Sequence, residues 1–170
     1  MFKFTFYLQL TIFYLMIKKL LLFCFIIGFP LFTLTANAQK MDNKKIAKLL
    51  GGVADSINGQ TGYWQFKYFD RYFLLITDEK NNRMRIMSPI VNEEDLDEIY
   101  FKKALEANYH SALDVKYALA EKIMWSVFIH PLKELNDDQL LDAISQVYAA
   151  AATFGYSYSS TNLVFGQPSE

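Results

Sequence analysis

The sequence predicts an α+β domain: a five-stranded antiparallel sheet with three helices, in the order α-β-β-β-α-β-β-α, behind an apolar leader. Three observations carry that expectation. Five segments alternate apolar and polar residues with the period-two rhythm of strands, and three others follow the i, i+3, i+4, i+7 spacing of one helical stripe. Strand neighbours are joined by hairpin-length turns, so they pair antiparallel, and the helices then stack on one sheet face.

The chain divides by composition into a leader over residues 1–38, a domain over 39–155 and a tail over 156–170. Lys18-Lys19, the apolar run Leu20–Leu34 and Ala36-Asn37-Ala38 are the positive, apolar and cleavage parts of a signal peptide, giving a mature start at Gln39. Met16 lies just before the lysine pair and is a candidate true start. The alternative is an uncleaved membrane anchor, the one case in which a membrane becomes a partner; Pro30 and the polar switch at Gln39 favour cleavage. The predicted location is therefore exported, either periplasmic or secreted.

Cys24 is the sole cysteine and sits inside the apolar run, after Phe23 instead of the small residue a lipidation signal needs. The mature chain would have no thiol, which excludes disulfides and cysteine-based metal or redox sites. Without Lys3, Lys18 and Lys19, 14 of the 17 basic residues remain against 18 acidic ones, a net charge of about −4. That balance excludes nucleic acid as a main partner, because nucleic-acid binding needs a concentrated basic face.

The first helix is expected from Asn43 to Ile57, on the stripe Ile46, Leu49, Leu50, Val53 and Ile57. Gly51-Gly52 weakens it, and implies a close backbone approach or a kink; Asn58-Gly59 ends it. Tyr63–Phe69 and Tyr72–Thr77 read as a hairpin about Asp70-Arg71. Arg83–Ile90 is the third strand, with Pro89 at a strand end or on an edge. Asn92 is the expected N-cap of a second helix with Glu93, Glu94 and Asp95 in its first turn, burying Leu96, Ile99, Tyr100, Ala104 and Ala107. Strands around Val115–Leu119 and Ile123–Ile129 follow. Asn136 and Gln139 form a capping box for the third helix, which carries Leu140, Ile144, Val147 and Tyr148 and stops at Gly155. The Ser/Tyr-rich tail is expected to have a mobile end.

Arg83–Ile90 ("RMRIMSPI"), Ala104–Leu119 ("ALEANYHSALDVKYAL") and Leu135–Ala151 ("LNDDQLLDAISQVYAAA") give the chain a resemblance to the type III secretion chaperone-like superfamily, and within it to the YbjN-type branch. The likeness spans nearly all of Asn43–Phe154 and rests on structural motifs, among them a helix ending in a Leu-x-x-Asn-like segment. It implies a small non-enzymatic domain that binds proteins and often dimerises. The departure is the leader: secretion chaperones are cytoplasmic, whereas this chain reads as exported.

No catalytic constellation can be assembled. His110 and His130 are apart and lack partners for zinc, and Ser111 has neither a nucleophile elbow nor a third triad member. The acids at Glu93–Glu98 read as helix N-terminal charge, and Gly51-Gly52 with Gly59 and Gly62 are too sparse for a phosphate loop. No cofactor or metal is predicted.

The stretch "GYWQFKYFDRYFLLI" from Gly62 to Ile76 is the informative one. Pairing Phe69 with Tyr72 and Tyr68 with Phe73 puts Trp64, Phe66, Tyr68, Phe73 and Leu75 on a core face. Tyr63, Gln65, Lys67, Phe69, Tyr72, Leu74 and Ile76 then share the other face, too apolar for a solvated one. Either the tail or the first helix covers it, or it binds a partner. The candidate partner-binding residues are Tyr63, Lys67, Phe69 and Tyr72, with Arg83 and Arg85 for an acidic partner. The expected function is an exported, protein- or peptide-binding, chaperone-like module, with a homodimer or strand addition at an open edge as modes of association. The alternative is a sensor or carrier of a lipid or aromatic ligand, with the same aromatics lining a pocket under the tail.

Overall fold

A computed structural model describes residues 13–19 and 40–163. The chain forms two units, Met1–Ala38 and Gln39–Glu170. In the first, residues 13–19 are helical. Cys24, the expected cleavage site at 36–38, the start at Gln39 and residues 164–170 lie outside the described residues. Among those described, no helix is long and apolar enough to cross a membrane.

The second unit runs α1 (Asn43–Val53), β1 (Ser56–Gln60), β2 (Tyr63–Tyr68), β3 (Arg71–Asp78), β4 (Arg83–Asn92), a 3-10 turn (Glu93–Asp95), α2 (Glu98–His110), β5 (Lys116–Ala120), β6 (Ile123–His130) and α3 (Asp137–Thr153). The sheet order is β1-β2-β3-β4-β6-β5, antiparallel throughout. The α+β class stands, but the sheet has six strands where five were expected. Counting residues 13–19, the described α-helices number four where three were expected.

The extra strand comes from the end of the first helix. Asp42 caps α1 by accepting from Lys45 N–H, and Ile46 and Leu50 are buried. The helix ends at Val53, short of Ile57, because Ala54 turns extended (φ −85°, ψ 139°) and Asp55 N–H donates to the Lys67 carbonyl, starting a ladder with β2. Ile57 then faces Phe66 across that ladder. Gly59 makes the next turn possible: at φ 117°, a Cβ there would lie 2.3 Å from the Tyr63 carbonyl oxygen. Gly51 and Gly52 mark no close approach, since an added Cβ at either meets nothing within 4 Å. They weaken the last turn of α1.

The β2–β3 turn is Phe69-Asp70, not Asp70-Arg71, and Phe66 pairs with Phe73. The register thus differs by two positions from the expected one. A two-residue shift keeps every inward residue inward, whereas a one-residue shift would have inverted the sheet.

One face of the sheet carries the core. Trp64, Phe66, Phe73, Leu75, Met84, Ile86, Met124 and Phe128 point inward and are buried, each contributing about 1.5–3 kcal/mol of apolar burial. The Phe66 and Phe73 rings stack at 5.0 Å. Helix α3 lies on β4 and β6, held at its start by the capping box of Asn136 and Gln139 and ended by Gly155 at φ 86°. Ser126 Oγ, buried beneath it, donates to the Val147 carbonyl at 2.9 Å.

Helix α2 starts later than expected. Asn92 makes no side-chain cap; Glu93–Asp95 form the 3-10 turn, and α2 begins after Asp97. Ala104 and Ala107 are buried as expected, but Ile99 is exposed, because it lies about 100° around the helix from Tyr100 of the Tyr100–Ala104–Ala107 stripe. The first part of the tail is docked rather than loose. Tyr158 is buried against Tyr117 and Phe154, and Ser160 Oγ donates to the Ala112 carbonyl at 2.8 Å.

Candidate functional site: the outer face of the sheet

The inward residues fix what faces out. Alternation places Tyr63, Gln65 and Lys67 of β2, Tyr72, Leu74 and Ile76 of β3, Arg83, Arg85, Met87 and Pro89 of β4, and Trp125, Val127 and Ile129 of β6 on the opposite face. Neither proposed cover lies there. Helix α1 buries Ile46 and Leu50 in the core, and the tail packs Tyr158 on inward-facing Tyr117, so both occupy the inner side. Among residues 40–163, no element covers the outer face.

Register lines give the face its pattern. Leu74, Met87 and Val127 form one row, and Ile76, Arg85 and Ile129 the next. Tyr72 is 67 % exposed and Ile129 59 %, values unusual for large apolar groups on a central sheet surface. Trp125 is held over the neighbouring strand by donating from Nε1 to the Ala120 carbonyl at 3.1 Å.

Pro89 opens a cleft in this surface. It lies inside a central strand, not at an edge or strand end as expected. The β3–β4 ladder runs from Asp78↔Arg83 to Leu74↔Met87 and stops there. Two positions on, the next hydrogen-bonded pair would set Tyr72 against Pro89, which has no N–H to give. Ser88 Oγ supplies the missing donor, at 2.9 Å from the Tyr72 carbonyl, so proline is tolerated mid-sheet. A register shift follows on the β6 side between Pro89 and Val91. Around this break, Gln65, Tyr72, Leu74, Pro89 and Trp125 line a cleft of about 230 Å³.

The electrostatics are one-sided. Lys67, Arg83, Arg85 and, on β5, Lys116 lie on or at the rim of the face. Lys67 Nζ sits 5.9 Å from the Tyr72 ring centroid, within cation–π reach. The one acid there, Asp78, stands opposite Arg83 and stays ionised, since the Asn81 side chain, then its backbone N–H, hold the carboxyl below its usual range; the face therefore carries four cations against one carboxylate. Among the described residues the ion pair is Lys45–Asp137, elsewhere on the domain, and none of the four outer cations is within ion-pair distance of a described carboxylate.

Of the six residues the sequence singled out, Tyr63, Lys67, Tyr72, Arg83 and Arg85 share this face. Phe69 does not. It occupies the turn with φ 52° and leans to the helix side, its ring 4.5 Å from Tyr68 and 5.3 Å from Tyr148 of α3. Met87, Pro89, Trp125, Val127, Ile129 and Lys116 were missed. The alternation of β6 would have grouped three of them, but nothing in one sequence says that β6 lies beside β4.

Both sheet edges are blunted. At β5, Asn108 Oδ1 accepts from Tyr117 N–H at 2.7 Å and Nδ2 donates to the Tyr117 carbonyl at 3.1 Å. At β1, Gly59 N–H donates to Asn58 Oδ1 at 2.8 Å, and the strand is five residues long. Short, self-capped edges discourage strand addition.

Other candidate chemistry is dispersed. His110 ends α2, and His130 stacks on Phe128 while its Nδ1 donates to the Pro131 carbonyl at 2.8 Å. Among the described residues no three His, Cys, Asp or Glu side chains gather as a metal site. Among the described residues, the cleft beside the tail, lined by Ser111, Thr153, Ser157, Ser159 and Thr161, contains none of the hairpin aromatics.

No protein-family model matches the chain, and no curated protein matches it. Among solved structures, it is similar to a chain of the HopA1–SchA chaperone–effector complex, at 11 % identity and a TM-score of 0.51, over 66 % of this chain and 88 % of that one. At that identity the likeness is one of fold alone.

Proposed function

We propose that this chain is an exported, non-enzymatic protein-binding module, an exported variant of the YbjN-type branch, that holds a protein segment against the outer face of its sheet. The observation that carries the reading is the apolar surface of Tyr72, Leu74, Ile76, Met87, Val127 and Ile129, left uncovered by the elements of residues 40–163. A monomeric domain ordinarily turns polar residues outward from such a sheet. The chaperone-like fold supports a protein partner. Export rests on the leader: Lys18-Lys19, Leu20–Leu34 and Ala36-Asn37-Ala38. The homodimer implied by the resemblance is the competing occupant of the same face.

The test is binding to an unfolded protein with blocked cysteines, followed by fluorescence anisotropy. The Tyr72→Ser, Ile129→Ser double variant should bind at least about tenfold more weakly, as truncation of central interface anchors does. Its unfolding midpoint should stay put, since both side chains are largely exposed. Equal binding by the double variant refutes the reading. N-terminal sequencing of the exported protein should begin at Gln39; an intact leader refutes cleavage.

A further inference from the structure

We infer that the segment held on this face is extended and acidic, with an apolar residue in the Pro89 cleft and a carboxylate four positions along. The inference rests on the proposed function and names the chemistry of its partner. Three relationships support it.

The first is charge. The domain is acidic overall, yet the outer face gathers Lys67, Arg83, Arg85 and Lys116 around an apolar centre against a single carboxylate, Asp78, opposite Arg83. Arg85 stands between Ile76 and Ile129, so a ligand covering these apolar groups must also cover its guanidinium. Desolvating that cation without a partner is unfavourable; a carboxylate meets it with a charge-assisted, bidentate contact.

The second is size. Clefts that take a whole small ligand enclose roughly 300–1,000 Å³, and the cleft at Pro89 holds about 230 Å³ on an open surface. It suits one inserted side chain of a longer chain.

The third is spacing. Tyr72 at the cleft and Ile76 beside Arg85 are four residues apart on β3, about 13 Å at the rise of a strand. In an extended ligand, side chains four positions apart point the same way and span the same length. A second copy of this domain is the poorer occupant, since a two-fold interface would bring the same cationic rim against itself.

The probes are peptides of about ten residues, Ser- and Thr-based, carrying Phe and Glu four positions apart, with matched versions in which Lys replaces Glu or Ala replaces Phe. Their binding to the purified protein is read by anisotropy. The Phe/Glu peptide should bind at least about tenfold more tightly than the Phe/Lys peptide, the difference of a hydrogen-bonded ion pair gained. That preference should collapse in Arg83→Gln, Arg85→Gln and shrink at 1 M salt. If Glu and Lys peptides bind alike, and both weaken in Tyr72→Ser, the face binds protein but the acidic preference is wrong. If no peptide binds and the protein sediments as a dimer that Tyr72→Ser dissociates, the occupant is a second copy and the inference falls. If neither binding nor dimerisation is seen, the protein-binding reading itself falls.

Discussion

Asn108 and Tyr117 close one edge of the sheet between them. The Asn108 side-chain amide accepts from the Tyr117 N–H at 2.7 Å and donates to its carbonyl at 3.1 Å, standing in for one residue of a seventh strand. This is the Asn of the Leu105-Glu-Ala-Asn108 ending of α2, so the segment that carried the family resemblance has a physical task. A side chain that satisfies both backbone groups makes the end of a sheet self-limiting.

Replacing Asn108 by Leu should therefore have two effects. Stability falls by about 1–3 kcal/mol, the cost of leaving partly buried backbone groups unpaired. The freed edge also promotes self-association. Asn108→Asp keeps the acceptor and loses the donor, and should fall between the two. Urea unfolding and light scattering check both effects; an unchanged midpoint with no added scattering would count against the edge role.

Phe69 sits in the left-handed region at φ 52°, where a bulky residue is a genuine outlier. Its ring contacts with Tyr68 and Tyr148 compensate. Two variants separate these terms. Phe69→Ala loses the ring and keeps the strained backbone; Phe69→Gly loses the ring and releases the backbone. Gly should be more stable than Ala here by about 1 kcal/mol, the reverse of their order inside a strand. Thermal or urea unfolding of the pair decides it, and Ala above Gly would show that the turn is unstrained.

Tyr117 gives the fold a dependence on alkaline pH. Burial is the main cause that pushes its hydroxyl up to about 12, with Tyr158 adding to the effect and Thr153 opposing it; the hydroxyl donates to the Ala150 carbonyl at 2.9 Å. An unfolded tyrosine loses its proton near pH 10. The native chain holds that proton longer, so this contribution to stability is complete below about pH 10 and lost as pH rises towards about 12. Urea midpoints measured from pH 9 to pH 11.5 should fall less steeply in Tyr117→Phe than in the parent protein. Parallel curves would contradict the assignment.

How much of this was legible in the sequence depends on the kind of signal each residue carried. The capping box of Asn136 and Gln139 and the stop at Gly155 are local, and both stand where the sequence put them. Strand β1 was invisible: Ser-Ile-Asn-Gly-Gln has no apolar alternation, all five residues are exposed, and it is a strand because β2 offers an edge to pair with. The β2–β3 turn was misplaced, since Phe69 gives no hint that it takes a conformation suited to glycine. Parity rescued the site: the two-position slip left Tyr63, Lys67 and Tyr72 facing outward. The β6 half of the surface, Trp125, Val127 and Ile129, depends on a crossover that brings β6 beside β4, a long-range relationship that local pattern does not encode. The docking of the tail's first part was not legible either. Its Ser/Tyr composition suggests solvent, yet Tyr158 and Ser160 are buried because Ser111 and Ala112 hold their backbone and hydroxyl groups.

Pro89 interrupts zippering in the middle of an otherwise regular sheet, and Ser88 makes the interruption permanent by occupying the carbonyl that would seek a mate. The gap is consequently part of the folding pattern itself. Under the binding role proposed above, an incoming side chain would meet a socket that exists before contact, framed by strands on both sides, and nothing would need to unfold or swing aside to admit it. Selectivity in such a receptor lies in the shape and charge of a fixed surface. Exchange is then governed by how quickly the visitor leaves, rather than by how quickly the host rearranges.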